Sequence, residues 1–538
     1  MRPNFYLYTL GILCLWLFSL GSKAQSDYPT NSQIQQELER LAQAHPEAEL
    51  KDLGKTPGGQ TIWSLEIGKG EKYRKPATVV VGGVEGYHVL GVSLALNFAK
   101  QLLETTPSLL DNHTFYVLPN LSPDAYAQYH ASLRYERRGN NAQVDHDRDG
   151  RISEDGYDDL NGDGMITRMR VESVVGDYVV SDEDERILRP IDRAKGERGT
   201  HLLFSEGIDN DKDGKINEDL AEGIAFNKSL TYQFPAFEPL AGDFPVSQPE
   251  SRAVLDYLFD RANIYTVVTF GPANNLSSPL SYNPAAAQKR VVTSMLESDV
   301  QINKRLSDLY NEVMAQKPSL LETQGTPGDF FQWAYFHFGR LSLSTPGWWV
   351  PEMKTASGSS YKLAEANYLA WADSIGIPQP FVPWTEVAHP DFPGQRVEIG
   401  GLKPFLLHNP PFDFVDSLSR LHSDFILQVA AQHPKLEFHG LKVEKLERDL
   451  TRVSVQLINN APLPTHTEMG KRSRWLQKIR VDVQVPASEL LVGDKIQLFD
   501  SLEAYDKLEL SWLVRGSEPI KIKAGAPHTG YAEITVKP

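Results

Sequence analysis

Hydrophobic spacing changes character along this chain, and the change marks its organisation. Ala77–Val81 (ATVVV) is an unbroken apolar run, the pattern of a strand buried on both faces. Residues 90–103 (LGVSLALNFAKQLL) follow with apolar positions three and four apart, which predicts a helix packed by one face. Phe414–Ala431 predicts a last amphipathic helix, stopped at His433-Pro434. Beyond it the period becomes two. Val453, Val455 and Leu457 alternate with polar residues, as do Ile479, Val481, Val483 and Val485, and shorter runs near Leu508, Ile520 and Ile534 continue the pattern. Residues 435–538 therefore predict a small antiparallel β-sandwich, a size that such folds commonly have.

A length of 538 residues allows two or three domains around a large core. Residues 1–24 have the layout of an export signal: Arg2, an apolar run from Leu7 to Leu20, then Ser22-Lys23-Ala24 as a small-residue cleavage site. The run is short for a membrane span and no second one follows, so the mature chain is expected to have no transmembrane segment and to reside in the periplasm, at the cell surface or outside the cell. Cys14, the sole cysteine, falls inside this segment. Disulfides and thiol catalysis are thereby excluded, and any metal site must use histidine and carboxylates. The net charge of −16 becomes −18 without Arg2 and Lys23, which argues against a nucleic-acid partner.

Much of the acid is concentrated in three loops. Asp145, Asp147, Asp149, Gly150, Ile152 and Asp155 recur at the same spacing as Asp209, Asp211, Asp213, Gly214, Ile216 and Asp219. Between them, Asp159, Asn161, Asp163, Gly164 and Ile166 form a looser copy. Oxygen donors at positions 1, 3 and 5, glycine at 6 and an apolar residue at 8 are the pattern of a calcium loop, with Arg151 and Lys215 at position 7. None of the loops has the bidentate glutamate at position 12. Asp155 and Asp219, at position 11, are the expected substitutes, and the third loop has no acid there. Calcium is the expected cofactor, with the role of stiffening an acidic insertion at about 140–222.

Gly82-Gly83-Val84-Glu85-Gly86-Tyr87-His88 joins the predicted strand to the predicted helix. From Asp27 to Pro434 the order and spacing of motifs resembles the zinc carboxypeptidase family, which begins its metal site at such a strand end with His-x-x-Glu. Here the order is reversed, Glu85-x-x-His88. The resemblance continues through a first helix at 34–45, the turn and hairpin strand at 54–63, and the strand end Phe115–Asp124. Arg134, Arg137 and Arg138 stand where the family has its arginine cluster, and Asn227-Lys228 where it has the Asn-Arg pair that grips a substrate carboxylate. It implies an α/β fold, a mixed-sheet α/β/α domain over residues 25–434 followed by the all-β sandwich.

The resemblance also implies what is missing. The second zinc histidine is replaced by Phe270, and Leu341-Ser-Leu-Ser344-Thr345, the strand that should present the general base, has no acid. Zinc hydrolysis needs three protein ligands, an open position and a carboxylate to move the water's proton. His130, His146 and His337 are further nitrogen donors, each with a structural explanation of its own. Three outcomes follow. The chain is a non-catalytic pseudopeptidase, stabilised by calcium, that binds a peptide or small anionic ligand through Arg134, Arg137, Arg138, Asn227 and Lys228. Alternatively, it is a metallocarboxypeptidase with an altered zinc site using Glu85 and His88, or a structural cell-surface protein.

Overall fold

The run Ala77–Val81 lies inside a six-stranded mixed sheet ordered Ala48–Lys55, Thr61–Ile67, Thr114–Leu118, Ala77–Val81, Ile264–Phe270, Leu341–Thr345. The first three strands pair antiparallel. The last four are parallel, with Val79 opposite both Tyr116 and Val267. The computed structural model describes residues 27–105, 108–146, 149–315, 325–446, 449–473 and 475–537. The export segment 1–24, and Cys14 with it, lies outside the described residues.

Alternation along the strands divides the core in two. Val80, Phe115 and Val117 face a cluster completed by helices Asn31–Ala44, Val89–Thr105, Glu297–Met314 and Val415–Ala430. Ala77, Val79, Val81, Tyr116 and Leu118 face the other side, where helix Pro249–Phe259 and the turn at Phe330–Phe338 cover them. This is the α/β/α layering read from the sequence, and the helices predicted at 90–103 and 414–431 form within two residues of those limits. Helix Asn31–Ala44 starts in a capping box, in which the Thr30 hydroxyl accepts from the Gln33 N–H and the Gln33 side chain accepts from the Thr30 N–H.

The acidic insertion is more than loops. Strands Arg168–Glu172, Tyr178–Val180, Leu188–Pro190 and His201–Ser205 join Phe381–Val387 and Val397–Leu402 in a separate antiparallel sheet. Met169, Val171, Val397 and Ile399 form its small core.

After His433-Pro434 the chain builds two four-stranded antiparallel sheets around Trp512, Val455, Leu457, Val481 and Ile522. Their order is Leu436–Lys445, Leu450–Asn459, Lys507–Arg515, Leu490–Val492 in one sheet, and Ile496–Phe499, Ile479–Gln484, Ile520–Ala526, Gly530–Val536 in the other. Among the described residues no helix is long and apolar enough to cross a membrane.

The sandwich is fastened to the first domain by a polar and aromatic seam. The Asp299 carboxylate accepts from the backbone N–H groups of Glu468 (2.7 Å) and Met469 (3.0 Å) and from the Tyr335 hydroxyl (2.6 Å). The Tyr265 hydroxyl donates to the Pro464 carbonyl at 2.6 Å. Around Tyr265, His113 meets His433 with ring centres 4.6 Å apart, and His466 meets His528 at the same distance.

All four of these histidines are buried. Burial lowers His433 to about 3 and His466 to about 4, and holds His113 and His528 well below the ordinary range. The unfolded chain takes up protons near pH 6.5 while the folded one does not, so stability is full above pH 7 and falls as pH drops through 6.5. The expected loss is about 1 kcal/mol per buried histidine between pH 6.5 and 5.5. Urea unfolding at several pH values measures it, and a midpoint that is flat over this range contradicts the neutral seam.

Candidate functional site

Strand Ala77–Val81 ends in Gly82-Gly83 and a tight turn that delivers Glu85 to a buried position, 2% exposed. A buried carboxylate needs a counter-charge, and Arg138 supplies it bidentately. Arg138 Nε donates to Glu85 Oε2 at 3.1 Å and Nη2 to Oε1 at 2.9 Å. Asn227 Nδ2 donates to the same Oε1 at 3.2 Å. The two segments are pressed together: a Cβ on Gly86 would lie 2.3 Å from the Ala125 Cβ and 2.9 Å from the Arg137 carbonyl. Burial opposes the charge on Arg138, but Glu85 outweighs it and raises the guanidinium above its usual range. Asn227 Oδ1 accepts from the Phe330 N–H at 2.9 Å, linking the pair to the next turn.

Asp329 caps that turn and joins the group, a role that no local sequence pattern signals. Its carboxylate accepts from Gln332 N (2.7 Å) and Thr326 N (2.6 Å). Burial pushes it up to about 7 in spite of those N–H groups, and the Glu85 charge adds to the rise. Tyr87, half-buried beside Glu85 and against His408, is raised by desolvation first and by Glu85 second.

His88 does not join Glu85. Its Nε2 donates to the Pro346 carbonyl at 2.9 Å, and burial lowers the ring to about 4. Nδ1 has no hydrogen-bond partner among the described residues, and the Phe270 carbonyl beside the ring is itself an acceptor. Phe270 is wholly buried with its ring against His422, and Thr345, at the end of the acid-free strand, is hydrogen-bonded to Tyr310. Among the described residues, no three His, Cys, Asp or Glu donors converge around Glu85 or His88. The donor set does not fit zinc.

The other predicted contacts divide. Arg138 is the member of its cluster that reaches the site. Arg137 is buried, donating to the carbonyls of Gly139 (3.0 Å) and Asn140 (2.6 Å). Arg134 lies over the Tyr129 ring, 4.7 Å from its centre. Both are structural because their guanidiniums are held by backbone carbonyls or an aromatic face. Lys228 turns to Glu238, 3.0 Å away, and does not reach Glu85.

The three acidic loops share one internal design. In each, the position 1 carboxylate accepts from the position 6 glycine N–H: Asp145 from Gly150, Asp209 from Gly214, Asp159 from Gly164. Those glycines have φ between +77° and +98°, which a side chain would strain. The position 5 carboxylates of Asp149, Asp213 and Asp163 accept from the N–H groups of Arg151, Lys215 and Met165. Asn161 Oδ1 accepts from Asp163 N at 2.9 Å. Asp147 lies outside the described residues.

The role expected of Asp155 and Asp219 is corrected. They sit opposite each other in a β-bridge, and each carboxylate reaches into the other loop. Asp219 accepts from the N–H groups of His146 (2.8 Å) and Ser153 (2.5 Å), and Asp155 from those of Asn210 (2.8 Å) and Asn217 (2.5 Å). These are positions 2 and 9 of the partner loop. Glu206 does the same for the third loop, at Leu160 and Thr167. The inward carboxylates are instead Glu154 and Glu218, at position 10. Their oxygens are sealed from solvent with no donor among the described residues. Burial pushes both up to about 7, with Asp219 and Asp149 adding for Glu154, and Asp155 and Asp213 for Glu218. Oxygens of Asp209, Asp211 and Asp213 converge within 4.8 Å of one another, as do those of Asp149, Glu154 and Asp211.

Residues 34–175 match the family described as zinc carboxypeptidase, and residues 435–537 one described as a domain of unknown function. Carboxypeptidase B of Astacus astacus is 30% identical over 106 residues, 19% of this chain and 35% of that protein. Zinc carboxypeptidase A 1 of Drosophila melanogaster is 32% identical over 110 residues, 19% of this chain and 26% of that one. The chain thus matches about a third or less of the length of these relatives. The crystal structure of the carboxypeptidase A from Helicoverpa armigera aligns with a TM-score of 0.41 and 14% identity, over 76% of this chain and 73% of that one.

Removing one partner of the central pair leaves a buried charge behind. Arg138→Met is expected to lower unfolding stability by about 2–3 kcal/mol, less than for a fully buried pair because the guanidinium is partly exposed. Adding Glu85→Gln is expected to recover most of the loss, as read by urea denaturation. Equal stability of Arg138→Met and the wild type contradicts the pairing.

Proposed function

We propose that this chain, whose residues 34–175 match the family described as zinc carboxypeptidase, is a non-catalytic, exported pseudopeptidase, stiffened by calcium, that binds the carboxylate end of a peptide. The observation that carries this reading is the occupation of the metal position by an internal ion pair. Both oxygens of Glu85 are engaged by Arg138, with Asn227 added on one of them, and His88 is turned to a backbone carbonyl. Among the described residues a zinc-bound water has no three-ligand support at Glu85 and His88, and no carboxylate lies on strand Leu341–Thr345 to take its proton.

What remains supports binding. The Arg138 side chain is 39% exposed, and among the described residues its Nη1 is left for a ligand. A guanidinium edge beside the Asn227 amide is a donor arrangement suited to a carboxylate. Calcium is supported by the convergence of Asp209, Asp211 and Asp213 and by the donorless carboxylates of Glu154 and Glu218. Carboxylates held this close need a cation or a proton between them.

Calorimetry with N-acetyl-glycyl-phenylalanine and its C-terminal amide tests the reading, alongside a hydrolysis assay with zinc added. The expected result is binding of the acid, at least about tenfold weaker binding of the amide, and no release of phenylalanine. Hydrolysis that disappears on Glu85→Ala or His88→Ala overturns it and restores an altered metallopeptidase.

A further inference from the structure

The acidic loops and the Glu85–Arg138 pair are joined by a short run of hydrogen bonds through Glu222. This residue lies just after the second loop, three positions beyond Asp219. Its carboxylate Oε2 accepts from the backbone N–H groups of Arg138 (3.1 Å) and Gly139 (3.0 Å). Its carbonyl accepts from the His146 ring Nε2 at 2.6 Å, and the His146 N–H is held in turn by Asp219. The next residues pair with the chain that follows Arg138: Gly223 N donates to Asn140 O at 2.8 Å, Asn140 N to Ile224 O at 2.9 Å, and Gly139 is bridged to Ala225.

We propose that calcium in the second acidic loop sets the position of Arg138 through Glu222, so that ligand binding at the cleft depends on calcium. This rests on the calcium reading given above and adds a regulatory role to it. Lys215 Nζ offsets Asp213 at 2.7 Å, but without a further cation Asp209, Asp211 and Glu218 hold like charges against one another, and the loop relieves them by opening. Opening moves Asp219, and with it the clamp on His146 and Ser153. Three residues of chain cannot absorb much displacement, so Glu222 shifts and releases the N–H groups of Arg138 and Gly139. Arg138 then keeps its charge near Glu85 but loses the fixed backbone that aims its free edge. Calcium favours the state in which that edge is aimed, and by linkage a carboxylate ligand favours calcium.

Hydrogen exchange of the full chain tests this, comparing saturating calcium with chelator. Exchange in residues 134–142 is expected to speed up at least about tenfold on chelation, while strand Leu450–Asn459 in the sandwich is unchanged. Glu222→Ala is expected to bind calcium like the wild type, by calorimetry, yet to exchange fast at 134–142 with or without it. The affinity for N-acetyl-glycyl-phenylalanine is expected to fall at least about fivefold on chelation. Stoichiometric calcium binding with identical exchange at 134–142 in both conditions overturns the coupling and leaves the calcium sites standing. No calcium binding at all overturns both. The exchange comparison uses the unaltered chain, so it holds even where the variant fails to fold or the dipeptide does not bind.

Discussion

A carboxylate placed at the end of a fully buried strand has to be neutralised, and the first domain is arranged around that need. An unpaired ion at the position of Glu85 would cost several kcal/mol. A metal could meet the requirement, but here a guanidinium does. Arg138 comes from the start of the acidic insertion, and Asn227 follows its end, so the insertion closes on the strand end like a clasp. With both Glu85 oxygens engaged, the neighbouring strand-end residues serve packing and backbone hydrogen bonds. Phe270 is in the core, Thr345 is bonded to Tyr310, and His88 donates to a carbonyl at a depressed pKa.

The same constraint explains why the insertion is so heavily braced. Arg138 and Asn227 keep their geometry only if the long excursion between them is rigid. That rigidity comes from loops that exchange carboxylates across a pseudo-symmetric bridge, from the separate sheet completed by Val397–Leu402, and from Glu222 at the exit. The sandwich is tied to the first domain by Asp299 and by Tyr265, which packs against the buried His528 ring.

Much of this was legible in the sequence. The buried run at Ala77–Val81, the helix after it and the two-residue period beyond Pro434 are local patterns, and local patterns report the elements that carry them. Glu85, His88, Arg138, Asn227 and the loop acids were all identifiable from motif order. Their partners were not. The Glu85–Arg138 pair, the exchange between Asp155 and Asp219, the Asp329 contribution and the Glu222 tether join residues far apart in the chain, and a single sequence has no term for such pairs. The expectation for Asp155 and Asp219 failed because position 11 faces the neighbouring loop across the bridge, which leaves position 10 facing inward. Strands Phe381–Val387 and Val397–Leu402 carry no such local signal, because the sheet they complete has its other strands within the insertion, far upstream.

The Glu85 carboxylate is neutralised by an internal ion pair, which takes both of its oxygens away from zinc. Elemental analysis tests it most directly, on chain purified, equilibrated with excess zinc and calcium, and desalted. Calcium is expected at about one to two per chain, lowered by substitution of Asp211, with zinc far below one per chain. Stoichiometric zinc, lost on Glu85→Ala or His88→Ala, would contradict it.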